Sequence, residues 1–98
     1  MISVLEQEGT FSGATKSGFS YAINRKALDN MELIDALADS ADGDTLAVSK
    51  VCRLLLKPEQ RKALYDHVRT EDGRVPTEAI SAEIVEMFSA LGAAGKNA

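Results

Sequence analysis

Residues Arg69-Thr70-Glu71-Asp72-Gly73-Arg74-Val75-Pro76 separate two amphipathic helical patterns, and this connector decides how the chain folds. Glycine adopts the left-handed conformation that closes a helix, whereas proline cannot continue a helix but can open the next one. We therefore expect a helix-turn-helix corner, with Gly73 closing the first helix and Pro76 opening the second. The connector holds no nucleophile, metal-binding set or phosphate loop, which favours a binding protein over an enzyme.

The helix after the connector, expected over residues 76–91, carries a clean apolar stripe. Its members are Ile80, Ile84, Met87, Phe88 and Leu91. The stripe is typical of a core-facing surface, but Met87 and Phe88 also suit an adaptable partner-binding surface. The helix before the connector, residues 58–70, begins at Pro58 and directs Leu64 and Val68 inward, together with Ala63 or Tyr65.

Two further helices are expected upstream, over residues 29–41 and 44–57. Asp29 has the position of an N-cap, Glu32 follows it as in a capping box, and Leu28 faces Leu33 as a hydrophobic staple. Gly43 ends this helix and Asp44 caps the next. Apolar residues surround most of the 44–57 helix, which predicts a buried centre for the domain. They are Leu46, Val48, Val51, Cys52, Leu54, Leu55 and Leu56.

The period changes near the N-terminus, where Phe19, Tyr21 and Ile23 alternate with small polar residues and predict a strand over residues 19–23. A strand needs a partner, either residues 2–5 or the same strand of a second copy. We expect residues 1–17 to be a flexible arm that Phe11 alone could anchor, residues 18–92 to form the helical domain, and residues 93–98 to fray. The predicted fold is mainly α, a small four-helix domain with a short N-terminal strand or hairpin.

The 98 residues carry a net charge of −4, which argues against binding nucleic acid through a broad basic surface. The charge is uneven, because residues 29–44 hold six acids and no base, whereas residues 53–74 hold six bases and four acids. We expect Asp35 and Asp39 on an acidic patch and Arg61 and Lys62 on a basic one. Opposite patches on one body favour head-to-tail self-association.

No residue pattern predicts catalysis, a metal or a cofactor. Cys52 is the only cysteine and lies in an apolar helical pattern, which indicates a buried side chain. His67 is the only histidine, which favours a surface or structural role over catalysis or metal binding. Residues 39–44 look like a calcium loop, but the twelfth position of that motif is Lys50 rather than glutamate. No apolar run is long enough to span a membrane, and no signal peptide is recognisable, so we expect a cytoplasmic location.

Several of these residues together resemble the small tail assembly chaperones of long-tailed bacteriophages that infect Gram-positive bacteria. The resemblance covers residues 17–98 and leaves Met1 to Lys16 unmatched. It rests on Ser17-Gly18-Phe19, Leu28-Asp29, Met31-Glu32-Leu33, Asp35-Ala36-Leu37-Ala38, Leu64, His67, Arg69, Glu71-Asp72-Gly73-Arg74-Val75-Pro76 and Lys96-Asn97.

The resemblance implies a protein that binds the tape measure protein and keeps its apolar helices soluble in the host cytoplasm during tail assembly. It implies the tail tube protein as a further contact and absence from the mature virion. It also implies a longer frameshifted sibling, since Gly95-Lys96-Asn97 can be encoded by a slippery run. Candidate partner-binding residues are Phe19, Tyr21, Met87, Phe88 and Leu91.

Two other classes compete with this interpretation. A structural head-tail or tail-completion component of the virion would share the small helical fold and the lack of chemistry. A helix-turn-helix regulator is disfavoured, because residues 76–91 carry Glu78, Glu83 and Glu86 and no basic residue.

Overall fold

A computed structural model describes residues 9–97 of the chain, with side chains described through residue 91. The fold is mainly helical and begins with a two-stranded antiparallel hairpin, which confirms the predicted fold class. The elements in order are β1 (Thr10–Ala14), β2 (Ser20–Asn24), α1 (Arg25–Leu28), α2 (Met31–Ala41), α3 (Thr45–Leu55), α4 (Pro58–Val68) and α5 (Thr77–Asn97). None of the helices in residues 9–97 combines the length and apolar character needed to cross a membrane.

The hairpin corrects the prediction of a flexible arm over residues 1–17 for the part that the structure describes, residues 9–17. Thr10–Ala14 forms β1, which pairs with β2 in a register that places Ser12 opposite Ala22. The partner of the predicted strand is thus β1, and residues 2–5 lie outside the described part of the chain. The prediction of an arm was based on the small and turn-forming residues of this segment. These residues leave β1 with few apolar side chains of its own. Phe11 is the largest of them, packing against Tyr21 with 6.1 Å between ring centroids.

The helix boundaries follow local capping chemistry. The side chain of Asn30, rather than the predicted Asp29, accepts a hydrogen bond from the Glu32 backbone N–H and begins α2. Asp29 instead ends the short helix α1, a turn that the sequence pattern did not indicate. Asp44 caps α3 as predicted, through the Leu46 N–H, and Gly43 ends the preceding turn with φ +100°. Pro58 occupies the first turn of α4, also as predicted.

The core lies where β2 and the four longer helices meet, with α3 at its centre as predicted. Its fully buried side chains are Ile23, Leu33, Val51, Cys52, Leu64 and Met87. The interpretation of α3 fails at one position, because Leu46 is 84% exposed in the first turn of that helix. Ala47 is buried in its place. Cys52 is fully buried, which confirms the burial predicted for it.

The connector is an ordered turn rather than a direct helix closure. Helix α4 ends at Val68, so Gly73 does not close it. Gly73 has φ +89° and lies inside a turn. The ends of this turn are joined by a hydrogen bond of 2.8 Å from the Thr70 N–H to the Arg74 carbonyl. The Arg69 guanidinium donates to the Gly73 carbonyl at 2.8 Å and bonds Asp66, which ties the turn to α4. The carbonyl of Pro76 accepts the Ile80 N–H at the start of α5.

Candidate partner-binding groove

An apolar groove of about 560 Å³ lies between α2 and α5, with α3 as its floor. Leu37 and Ala41 line it from α2, Val85 and Phe88 from α5, and Val48 and Val51 from below. None of the lining residues carries a charge. The groove is therefore suited to apolar side chains and offers no charged anchor within it.

Short side chains explain why a groove exists at this place. Helix α3 packs against both α2 and α5, so the two outer helices are held on either side of it. Where α2 and α5 face each other above α3, the facing residues are Ser40 and Ala41 on α2 and Ser81 on α5. Serine and alanine are too small to close the space, so the half-buried Val48 and the buried Val51 form its floor.

Exposed apolar residues extend the groove along both walls. Val85 is 64% exposed on α5, and Ile34 is 45% exposed on α2, one turn before Leu37. Residues three or four apart share a helix face, so Ile34, Leu37 and Ala41 form one continuous edge. A second depression shares Ser40, Val48 and Ser81 with the groove and is also lined by Thr45, Thr77 and Glu78. The apolar groove is thus continuous with a more polar depression that includes one acidic residue.

The structure divides the five predicted partner-binding residues into two groups. Phe19, Tyr21 and Met87 are core residues with at most 5% of their surface exposed, which corrects their assignment to a contact surface. Phe88 is half-buried and lines the groove, and Leu91 is half-buried against the core. The three residues belong to one buried cluster, in which the end of the hairpin meets the helices.

Sequence reasoning missed most of the groove. Val48 was predicted to be a core residue, and Leu37 has the pattern of one. Val85 lies off the main apolar stripe of α5. The available signal was the pair of serines, Ser81 and Ser89, that flanks Val85 on its helix face and lines the groove with it. An exposed valine between small polar residues indicates a surface that a neighbouring helix leaves uncovered.

A smaller depression of about 380 Å³ lies on the other side of α3. Leu46, Cys52, Tyr65 and Ile80 contribute to it. Burial raises the pKa of the Cys52 thiol, and burial together with the nearby thiol raises the pKa of Tyr65. The thiol therefore lacks the lowered pKa that marks a reactive cysteine.

A polar cluster joins the hairpin turn to α4 and α5. The Glu83 carboxylate, which is only 8% exposed, accepts from the Thr15 hydroxyl at 2.8 Å and from the Ser17 hydroxyl at 3.1 Å. The Ser17 Oγ also lies 2.9 Å from the His67 Nε2, and the His67 ring lies 5.6 Å from that of Phe19. Four residues distant in sequence thus hold the turn against two helices.

The geometry of this cluster differs from a nucleophile-base-acid relay. In such a relay the histidine lies between the hydroxyl and the carboxylate. Here Ser17 lies between His67 and Glu83, so its proton is directed to the carboxylate and the imidazole N–H can donate to its oxygen. The arrangement orients the turn, as expected for a structural histidine.

The charged residues singled out for self-association lie on two different helices. Asp35 and Asp39 are exposed on the outer face of α2, away from its buried residues Leu33 and Ala36. Lys62 is exposed on α4 and bonds Asp66 at 3.1 Å, and Arg61 is half-buried beside it. Lys62 and Arg69 lower the pKa of Asp66 by bonding its carboxylate. The basic patch is therefore partly neutralised within its own helix.

The described residues include no group of three or more histidine, cysteine, aspartate or glutamate side chains placed to hold a metal ion. Comparisons with protein-family models, with curated proteins and with solved structures each found no match to this chain.

Proposed function

We propose that this protein is a helix-binding chaperone, and that the groove between α2 and α5 receives an apolar helix of its partner. The observation that carries the proposal is the uncharged groove, with exposed Val85 on its wall and exposed Ile34 one turn before Leu37 on α2. Contiguous exposed apolar surface is typical of interaction sites in soluble domains.

The shape of the groove favours a helix over a small molecule. It is partly open and framed by two helices, and an amphipathic helix can place residues spaced three and four apart in such a groove. Apolar surface without fixed polar groups gives affinity with little sequence selectivity, because the hydrophobic effect is non-directional. A chaperone that must cover many similar helical segments of one long protein needs this property.

The resemblance of the sequence to phage tail assembly chaperones supplies the identity of the partner. We propose the tape measure protein, whose long apolar helices would be kept soluble in the host cytoplasm until the tail tube protein polymerises around them. In this role the chaperone is absent from the finished virion and has a longer frameshifted sibling. The acidic patch of Asp35 and Asp39 and the basic patch of Arg61 and Lys62 would orient neighbouring copies.

Binding of labelled helical segments of the tape measure protein, followed by fluorescence anisotropy, tests the groove directly. Val85→Lys places a charge on the wall without disturbing the core, since Val85 is 64% exposed. Loss of the apolar contact and the cost of desolvating the ammonium together predict affinity about tenfold or more weaker. Leu46→Lys is the matched control, because Leu46 is 84% exposed and lies outside the groove.

Two results would overturn the proposal. Equal weakening by both variants would mean that general surface hydrophobicity, rather than the groove, carries binding. Detection of the chain in purified virions by mass spectrometry would favour a structural tail component over a chaperone.

A further inference from the structure

The two outer edges of the hairpin differ in whether a side chain covers their backbone groups. The Gln60 side chain covers the edge of β2: its Oε1 accepts the Ala22 N–H at 2.9 Å, and its Nε2 donates to the Ala22 carbonyl at 2.7 Å. A primary amide that uses both groups in this way replaces the peptide unit of a third strand. The edge of β2 is thereby closed to other chains.

The edge of β1 has no such cover within residues 9–97. The Arg25 N–H donates to the Gly9 carbonyl and the Thr15 N–H to the Phe19 carbonyl, which fixes the alternation of the ladder. Phe11 and Gly13 therefore direct their backbone groups to β2, and Thr10, Ser12 and Ala14 direct theirs outward. β1 also lacks the lysine, proline or bulge with which proteins protect such edges.

We propose that β1 pairs antiparallel with β1 of a second copy of this chain about a two-fold axis at Ser12, forming a four-stranded sheet. In this register Ser12 faces the partner's Ser12, and Thr10 faces Ala14 of the partner subunit. All outward backbone groups of the strand then meet their counterparts, giving about six hydrogen bonds. The inference does not depend on the proposed function, because it uses a different surface.

The composition of the strand favours a second copy as its occupant. Residues 10–14 carry no charge, so the two-fold pairing places no like charges opposite each other. Phe11 is only half-buried and would lie opposite the partner's Gly13, whose face is covered by a tyrosine ring, as the close approach of Tyr21 Oη to Gly13 shows. The aromatic surface of Phe11 and Tyr21 therefore continues across the junction.

The size of the edge indicates a weak association. A five-residue strand buries far less than the roughly 1,200 Å² of total surface found in stable complexes. The dimer should accordingly form and dissociate rapidly and should become apparent only at high protein concentration or after covalent trapping.

Disulfide trapping at single cysteines tests both the pairing and its register. In Ser12→Cys the two introduced thiols would face each other across a pair with Cα atoms about 5.5 Å apart, which a disulfide can span. In Thr10→Cys, the matched control on the same exposed face, they would lie about 14 Å apart along the strand. Native Cys52 is fully buried, so the unmodified chain gives the background.

We expect Ser12→Cys to form disulfide-linked dimer at least about tenfold faster than Thr10→Cys under the same oxidant, with circular dichroism unchanged in both. The double variant Thr10→Cys with Ala14→Cys should also cross-link rapidly, because each thiol faces one of the other kind. Equal rates for the two single variants, or a faster rate for Thr10→Cys, would overturn the proposal. Weakened binding of tape measure segments by Val85→Lys would leave this result unaffected.

Discussion

Removing the Glu83 carboxylate should destabilise the fold strongly, because that group fastens the hairpin turn to the helices. Glu83→Ala deletes the acceptor of the Thr15 and Ser17 hydroxyls and leaves the buried Thr15 oxygen without the group to which it donates. Hydrogen bonds to charged groups contribute about 1.5–3 kcal/mol each. Burial of the carboxylate itself costs part of that gain. The expected net loss is about 2–3 kcal/mol.

The effect should be visible as a lowered urea midpoint and, for a domain of this length, a melting temperature about 10–20 °C lower. Amide exchange should accelerate first in β1, since the turn loses its attachment to α5. Glu86→Ala is the matched control on the same helix. Glu86 is half-buried and accepts one bond, from the exposed Lys16 N–H at 2.6 Å, so its loss should cost about 0.5–1 kcal/mol.

Two outcomes would refute the assignment of Glu83 as the attachment point of the turn. The first is a Glu83→Ala variant within about 0.5 kcal/mol of the parent protein, which is the usual range for a surface substitution. The second is a loss for Glu86→Ala as large as that for Glu83→Ala. Glu83→Gln should fall between the parent and the alanine variant, because the amide keeps one acceptor oxygen for Thr15.

Three further perturbations test other parts of the structure. Gln60→Ala should cost about 1 kcal/mol and speed exchange of the Ala22 amide, whereas an unchanged exchange rate there would contradict the closed β2 edge. Because burial raises the pKa of Cys52 and of Tyr65, the contribution of these two groups to stability should be constant below the pKa of the unfolded thiol, about 8.5, and should fall as pH rises above it; a urea midpoint that rises from pH 8 to pH 10 would contradict this sign. Reversing charge with Arg61→Glu and Lys62→Glu should reduce assembly measured by light scattering at low salt. An unchanged salt dependence would contradict a role of the charge patches in self-association.

Local signals in the sequence were sufficient for most of the fold. Pro58, Gly43 and Asp44 act through the backbone of their own turn, so their effects can be predicted without knowing the neighbouring elements. The error at Asp29 has the same origin, since Asn30 is an equally good cap one residue later and only the docking of α1 selects between them. β1 escaped prediction because its stability comes from pairing with β2 rather than from its own residues.

The candidate site depended on information that one-dimensional patterns lack. An apolar stripe shows that a helix face will be covered, but it does not show which element covers it or where coverage stops. Met87 and Phe88 are adjacent in the stripe, yet Met87 is fully buried and Phe88 lines the groove. The polar cluster joins residues 15–17 to residue 67 and residue 83, a separation across which no periodicity operates.

The central claim, that a helix of the partner lies between α2 and α5, can be tested by methyl NMR during titration with a helical segment of the tape measure protein. We expect the methyl signals of Leu37, Val48 and Val85, all of which line the groove, to shift together and saturate at one segment per chain. The methyl signals of Leu46 and Leu54, which lie outside the groove, should stay in place. Shifts confined to Leu46, or no saturable shift at Val85, would contradict the account.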